Sequence, residues 1–542
     1  YHGEVLDAAG NFYNANLRGA DAKDTYWFDL EHLDGERTYE PHFTFHGFRY
    51  VKLVGVPATV SKADFVGVAI SSSNPHTGTF ETDNALVNQL QANIQRSEDD
   101  NFVDIPTDCP QRDERMGWTA DLQVFAKTAA FNRNVDRFLW KWLRDLRLEQ
   151  AEHRGAVPSI VPEIIPGVWI EGWAEAAAAW GDATTIVPWQ LYQVYGDWQI
   201  LERQYTSMRD WVDFIRSQGE TEELWDTGFQ YGDWVALDAA EGSYFGETDP
   251  YLCATAFYAY STQILYMTAK LLHKMSDYEE YRALYDRIVL AYQRRYLPEG
   301  DKPLTNTQTG NVLSLAFDLT APEHRQAMAD NLVALIRQNG MHMDTGFLGT
   351  PYLCHVLSRY HHEAIAYDLL FAEDFPSWLY QVKMGATTTW EHWDNIKPDG
   401  TFWSTDMNSF NHYAYGSIGQ WLYEQIGGLI NKAPGYQKTV IAPRLDTQKR
   451  VTAAKCLLTT GYGVAGCEWR LADGNFHIKV TVAPNTTSLV VLPRPQDKAV
   501  LMRQVVATSD GNAIFTDGNP HPRTTTHLGS PEFEIFQSGG PE

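Results

Sequence analysis

Cysteine is scarce in this chain. The five residues Cys109, Cys253, Cys354, Cys456 and Cys467 are odd in number, widely dispersed and form no CxxC pair. That excludes a zinc ribbon, a thioredoxin motif and a disulfide scaffold, and no bridge between Cys456 and Cys467 is expected although they fall on neighbouring strands. Long apolar runs are missing too, so no membrane-spanning helix is expected. Basic residues are outnumbered, 43 Lys and Arg against 69 Asp and Glu, for a formal charge of −26. Nucleic acid and anionic membranes reward basic patches, and neither is an expected partner. There is no HExxH, no G-x-S-x-G, no Walker A and no G-x-G-x-x-G, and His361-His362-Glu363 has the wrong spacing for a metal and reads as an exposed helical turn. Neither a metal nor a cofactor is expected. The sequence begins at Tyr1 without Met or leader, and it is read as processed, trimmed or a fragment. The compartment stays open, and neither oligomeric state nor linkage preference has a motif.

What is present is an ordinary globular composition, 44% hydrophobic and 21% charged, long enough for ~3–4 domains. Tryptophan stands out. Of 18 in the chain, 11 lie between Trp118 and Trp234. Flat indole faces interleaved with carboxylates suit a sugar cleft, with apolar faces for C–H surfaces and acceptors for hydroxyls, although core packing accounts for most single tryptophans.

Three textures follow one another. Residues 1–78 show strand alternation, best in His42–Leu53, and read as a small β-domain or the last part of one. Residues 79–427 are helical in period. Tyr251–Met275 is a long, largely apolar helix suited to an inner position, and Ser276-Asp277-Tyr278-Glu279 and Thr320-Ala321-Pro322-Glu323 read as capping boxes. Gly340 stands where a helix stop belongs. Long aromatic loops between these helices suggest a helical barrel with its site on one face. From residue 428 the period returns to two, with strands expected at Thr459–Gly466, Glu468–Ala472, Phe476–Val482 and Ser488–Leu492, and turns at Asp473-Gly474 and Pro484-Asn485. These fit a β-sandwich.

Two clusters carry the chemistry. Asp108-Cys109-Pro110-Gln111-Arg112-Asp113-Glu114-Arg115-Met116-Gly117-Trp118, followed by Asp121, crowds carboxylates and guanidiniums into a loop that Pro110 and Gly117 keep from being helical. Crowding of this kind drives carboxyl pKa values apart, which is how a neutral acid and an ionised partner are made. The second cluster is Trp390-Glu391-His392-Trp393, a carboxylate set between tryptophans, with Asn411-His412-Tyr413 beyond it. Two carboxylates facing each other across a barrel mouth would be the acid/base equipment of a glycosidase.

The Asp108–Trp118 segment closely resembles the signature of the bacterial α-L-rhamnosidases, glycoside hydrolase family 78. Trp180-Gly181-Asp182, Gly232-Asp233-Trp234, Trp390-Glu391 and Asn411-His412-Tyr413 are similar to the family's later motifs. The resemblance implies an (α/α)6 barrel with flanking β-domains, further β-domains upstream in full-length relatives, and inverting hydrolysis of terminal α-L-rhamnosyl groups. It further implies Glu114 as general acid and Glu391 as general base. Asp108, Arg112 and Asp121 would bind hydroxyls and tune Glu114, and Asp182 and His412 would add contacts. Trp118, Trp173, Trp180 and Trp234 would form walls, with Trp393 as a further one. Glu114 would have to stay protonated against Arg112 and Arg115. The competing readings are another (α/α)6 glycosidase and a non-catalytic carbohydrate-binding protein. The first uses different acid motifs, and the second would be expected to have lost Glu114 or Glu391.

Overall fold

The computed structural model describes residues 1–27, 37–57, 59–164, 176–405 and 407–493, with the strand residues 508–509, 512–513, 526–527 and 530–537. The chain divides into two compact units. One comprises Tyr1–His76, Leu86–Gln190 and Gln199–Gly419, and the other Thr77–Ala85, Leu191–Trp198 and the residues from Gln420.

The first unit is helical, and its helices fall into two kinds. α1 (Ala85–Asn101), α3 (Asp136–Glu152), α5 (Gln199–Arg216), α7 (Met275–Tyr296) and α9 (Arg325–Gln338) bury one stripe, as in Leu139, Trp142, Leu143 and Leu146 of α3. α2 (Thr119–Asn132), α6 (Pro250–Leu271) and α8 (Gln308–Ala316) are buried on nearly every side, and α4 (Ala183–Tyr195) and α10 (Thr350–Arg359) alternate with the first set along the chain. A helix apolar on one face lies outside and one buried all round lies inside. The alternation is that of a double ring of helical hairpins, the expected barrel.

Local chemistry starts several of these helices. Asp249 accepts from the Tyr251 N–H at 2.8 Å with Pro250 in the first turn, and Thr307 caps α8 through the Gly310 N–H at 3.1 Å. Gly340, at φ 66°, ends α9 as expected. Neither expected capping box forms. α7 starts at Met275 without a side-chain cap, and Asp277 instead accepts from the Tyr205 hydroxyl at 2.6 Å. Thr320 likewise turns inward, and its hydroxyl donates to the Ser314 carbonyl at 3.3 Å.

The N-terminal residues of this unit are mostly irregular. Of the strand expected over His42–Leu53, only Tyr50–Val51 is in a ladder, paired with His2–Gly3. Alternation makes a strand only where a partner runs beside it, and Phe43, at φ 59°, breaks the extended path. A hairpin joins Val5–Leu6 to Phe12–Tyr13, its turn held by Asp7, which accepts from the Ala9 and Asn11 N–H groups at 2.9 and 2.7 Å. The helical turn Ala15–Leu17 follows and delivers Arg18.

Among its described residues, the second unit holds two larger sheets and the short pair Thr508–Ser509 and Asn512–Ala513. Four antiparallel strands run in the order Asn475–Thr481, Gly463–Ala472, Ala453–Thr460 and Gly78–Thr82, so a segment from before α1 forms one edge. Asp473 and Gly474, both at positive φ, close the expected hairpin turn. The strand expected over Thr459–Gly466 is instead two strands joined at Thr460–Gly463, where the Thr460 hydroxyl donates to the Gly463 carbonyl at 2.8 Å. The apolar alternation continues on both sides and hides the break. Cys456 and Cys467 face each other in this ladder as free thiols. The other sheet orders 526–527, Ser530–Gln537, Thr486–Val491, Lys438–Ile441 and Leu429–Ala433.

Candidate active site

The Asp108–Trp118 segment is a loop that ends where α2 begins at Thr119. Gly117 is required because a β-carbon there would lie 2.1 Å from the Val161 carbonyl oxygen, and the close pass aims Trp118 back over the loop. Arg115, expected to press on Glu114, does not reach it. At φ 51°, its guanidinium is spent on the carbonyls of Arg112, Phe45 and Gln111 at 3.1, 3.0 and 3.3 Å. Arg115 stitches the loop, and a different arginine meets Glu114.

Arg112 is the centre of the site. It is 1% exposed, and it donates to both oxygens of Glu391, Nη1 to Oε2 at 2.7 Å and Nη2 to Oε1 at 3.0 Å. Its Nε and Nη2 also lie 3.0 and 2.9 Å from Glu114 Oε2. One guanidinium thus joins the two carboxylates of the separate sequence clusters. Because both lie on the same Nη2, their nearest oxygens are closer together than the ~6.5 Å that opens the range for an inverting pair of carboxyl groups.

The environments of the two carboxylates differ. Burial alone would raise Glu391, but the Arg112 guanidinium overrides it and holds the carboxyl at about 2. The Ser409 N–H adds a hydrogen bond to Oε2 at 2.9 Å, and the Glu391 N–H donates to the Ser409 carbonyl at 3.1 Å. Glu114 is more open. Its Oε1 accepts from Trp118 Nε1 at 2.7 Å, and its Oε2 accepts from Arg18 Nη2 at 2.9 Å as well as from Arg112.

Asp108 is buried beneath them. It accepts from the Met116 N–H at 2.9 Å through Oδ1, while Oδ2 lies 3.5 Å from Arg112 Nη2 without a hydrogen bond. Burial first, and the Glu114 carboxylate second, push its carboxyl up to about 7. Asp121 and His412 form an ion pair at 3.0 Å. Burial lowers the His412 imidazole, but Asp121 outweighs that and raises it. Asp108, Arg112, Glu114, Trp118, Asp121, Glu391 and His412 therefore come together.

Asp182, Trp393 and Trp180 lie in packed surroundings. Asp182 is fully buried and accepts from the Ala179 N–H at 2.7 Å, Trp211 Nε1 at 3.0 Å and the Ser261 hydroxyl. Gly181 beside it presses on the Trp211 ring, where a β-carbon would lie 2.2 Å away. Trp393 is also interior, packed 4.2 Å from Tyr415 and 5.4 Å from Trp378. Asp182 and Trp393, both expected at the substrate, are thus placed in packed surroundings. Trp180 is buried against Tyr231, ring centroids 4.0 Å apart. Trp173 lies outside the described residues.

Several groups at the site have no signal in the motifs. Arg18 pairs with Asp113 at 2.8 Å as well as with Glu114. Glu4 is buried 4% exposed, accepts from Asn16 Nδ2 at 2.9 Å and the Phe410 N–H at 3.3 Å, and is pushed up to about 8, chiefly by burial. An aromatic arc also emerges. Trp118 meets Tyr231 edge-on at 6.3 Å, Tyr231 meets Trp234 at 5.8 Å, and Trp234 stacks on Tyr244 at 5.3 Å. Tyr244 then meets Trp403 at 5.4 Å, and Trp403 stacks on His392 at 4.0 Å. The arc runs from the indole bonded to Glu114 to the residue after Glu391. Adjacency to Gly232-Asp233-Trp234 is the one hint of Tyr231 in the sequence.

Comparison with known proteins gives matches along the chain. Residues 75–426 match the bacterial alpha-L-rhamnosidase 6 hairpin glycosidase domain, residues 1–71 the concanavalin-like domain and residues 428–506 the C-terminal domain of the same proteins. A curated alpha-L-rhamnosidase of Streptomyces avermitilis is 40% identical over 97% of this chain and 49% of its own length. Its structure complexed with L-rhamnose superposes with a TM-score of 0.85, covering 98% of this chain and 49% of that one. The alpha-L-rhamnosidase from Dictyoglumus thermophilum, 30% identical, gives 0.88 over 99% of this chain and 58% of its own. The chain spans about half the length of the curated relatives it matches.

Proposed function

The chain belongs to the bacterial α-L-rhamnosidase family, and on that premise we propose that it hydrolyses terminal α-L-rhamnosyl groups from glycosides or oligosaccharides. The observation that carries the reading is the Arg112 clamp, which holds an ionised Glu391 and an exposed-side Glu114 at one end of an aromatic arc. Glu114 protonates the glycosidic oxygen as its bond to the anomeric carbon breaks. Glu391 takes a proton from the water that attacks that carbon from the opposite face. The free Oδ2 of Asp108 and the buried, unpartnered Nδ1 of His412 are polar groups that sugar hydroxyls can satisfy. Trp118, Tyr231 and Trp234 offer apolar surface to a 6-deoxy sugar, whose methyl group prefers a dry wall. The S. avermitilis relative with bound L-rhamnose supports the choice of sugar.

Inversion is part of the proposal, drawn from the match of Glu114 and Glu391 to the family motifs. The shared Nη2 favours one rival, a retaining route with Glu391 as nucleophile, because it draws the nearest oxygens together. A panel of p-nitrophenyl glycosides tests the activity: release from the α-L-rhamnoside alone is expected, and release from none supports a binding protein. Proton NMR of the first-formed rhamnose tests the stereochemistry. The β-anomer is expected, and the α-anomer assigns retention.

A further inference from the structure

Apart from the carboxylate pair, one cluster of ligating side chains draws on three separate stretches of the N-terminal region. His2 and His46 stack with ring centroids 4.2 Å apart and planes 12° apart, and the Nε2 atom of each lies at its Asp24-facing edge. Asp24 sits at that edge. One of its oxygens is 3.2 Å from His46 Nε2 and the other is 3.7 Å from His2 Nε2, beyond hydrogen-bond length. The three side chains are 14%, 11% and 21% exposed for His2, His46 and Asp24, and their ligand atoms all lie within 4.8 Å of one another.

From this geometry we infer that His2, Asp24 and His46 form a binding site for a zinc-class divalent transition ion. Zn–N and Zn–O bonds of ~2.0–2.1 Å set tetrahedral ligands ~3.3 Å apart. The 3.2 Å His46 contact matches that edge length and the 3.7 Å His2 contact, made by the other Asp24 oxygen, exceeds it, so an ion would draw one Asp24 oxygen and both Nε2 atoms together and turn the imidazoles out of their stack. Two imidazoles and one carboxylate suit zinc, cobalt or nickel and not calcium or magnesium, which take oxygen ligands. The fourth position is left to water.

The consequence is mechanical. An ion here would staple residues 2, 24 and 46, and the segment around His46 packs directly on the acid loop. A β-carbon on Gly47 would lie 2.9 Å from Pro110, and Arg115 reaches the Phe45 carbonyl at 3.0 Å. The stapled stretch also carries Glu4 and Arg18.

The test uses the untagged chain, stripped with EDTA and titrated with zinc against a chromophoric chelator, so its outcome does not depend on hydrolysis. One zinc per chain is expected, with a rise in Tm. Asp24→Asn and His46→Gln should each weaken binding by more than the ~10-fold that loss of an outer-shell partner costs. Glu163→Gln, in the separate Glu149, His153 and Glu163 cluster, should leave it unchanged. Cobalt should give the visible spectrum of a four-coordinate site in the wild type only. Failure of the chain to compete with the chelator overturns the site. So does equal binding by both folded site variants, or loss of binding in Glu163→Gln alone.

Discussion

Replacing Arg112 with Met removes the one cation shared by the two carboxylates, and the structure gives the size of the effect. Glu391 is held at about 2 against an ordinary 4.5, which at 1.36 kcal/mol per unit is roughly 3 kcal/mol in favour of the ionised form. The depressed value means this stability is present above pH ~4.5 and is lost as pH falls from there towards 2. Without Arg112, burial of Glu391 is opposed by His412 and the Ser409 N–H, and its carboxyl rises. Two outcomes follow for Arg112→Met. Stability at pH 7 falls by ~3–5 kcal/mol, the cost of an uncompensated buried charge. The acid limb of kcat/KM, which reports ionisation of the base, moves up into the range above pH 5. Arg112→Lys keeps a charge but cannot fork between two carboxylates, and it should lie between the wild type and Met. The assay is the pH–rate profile on p-nitrophenyl α-L-rhamnoside, beside Tm against pH. A folded Arg112→Met protein whose acid limb coincides with that of the wild type would falsify the assignment of Glu391 as a base held ionised by Arg112.

Glu114→Gln should lower kcat by ~10²–10⁴ on unactivated rhamnosides, with a smaller loss on p-nitrophenyl substrates whose leaving group needs no proton; equal losses on both would remove Glu114 from the acid role. Tyr231→Ala interrupts the arc between Trp118 and Trp234, and should raise KM more than it lowers kcat, as initial-rate kinetics will show. Glu4 is pushed up to about 8 from 4.5, so the wild type loses stability as pH rises from ~4.5 through 8, by an upper bound of roughly 4–5 kcal/mol. Glu4→Gln should remove that loss, and Tm curves that stay parallel from pH 5 to 8.5 would show Glu4 does not titrate there. Hydrolysis should persist in EDTA-treated protein assayed well below its Tm, and activity that needs added metal would contradict a purely acid/base site.

The two kinds of helix in the barrel show what periodicity carries. Tyr251–Met275 is largely apolar in the sequence, and α6 is buried on nearly all sides, although it ends at Leu271 and Met275 opens the next helix. Gly117 and Pro110 mark a loop, and α2 starts just beyond it. The capping boxes show the opposite case, because α7 already starts at Met275, before Ser276, and Thr320 turns to the Ser314 carbonyl nearby in the chain. Trp393 and Asp182 lie in packed surroundings that their residue types did not reveal. A residue type fit to touch sugar is equally fit to fill a core or saturate a buried turn, and composition does not distinguish the two.

By itself the sequence determined the order of β, helical and β regions, the acid loop and its carboxylates, and the family. These depend on neighbours within a turn or two, or on motifs read in one stretch. Only the tertiary structure decided that Arg112 and not Arg115 faces Glu114, that Arg18 and Glu4 reach the site from the N-terminal hairpin, and that Tyr231, Tyr244 and Trp403 join Trp118 and Trp234 in one arc. The reason is distance along the chain. Arg112 and Glu391 are 279 residues apart and Arg18 and Glu114 are 96 apart, and short-range pattern holds no information about which charges the barrel will bring within 3 Å.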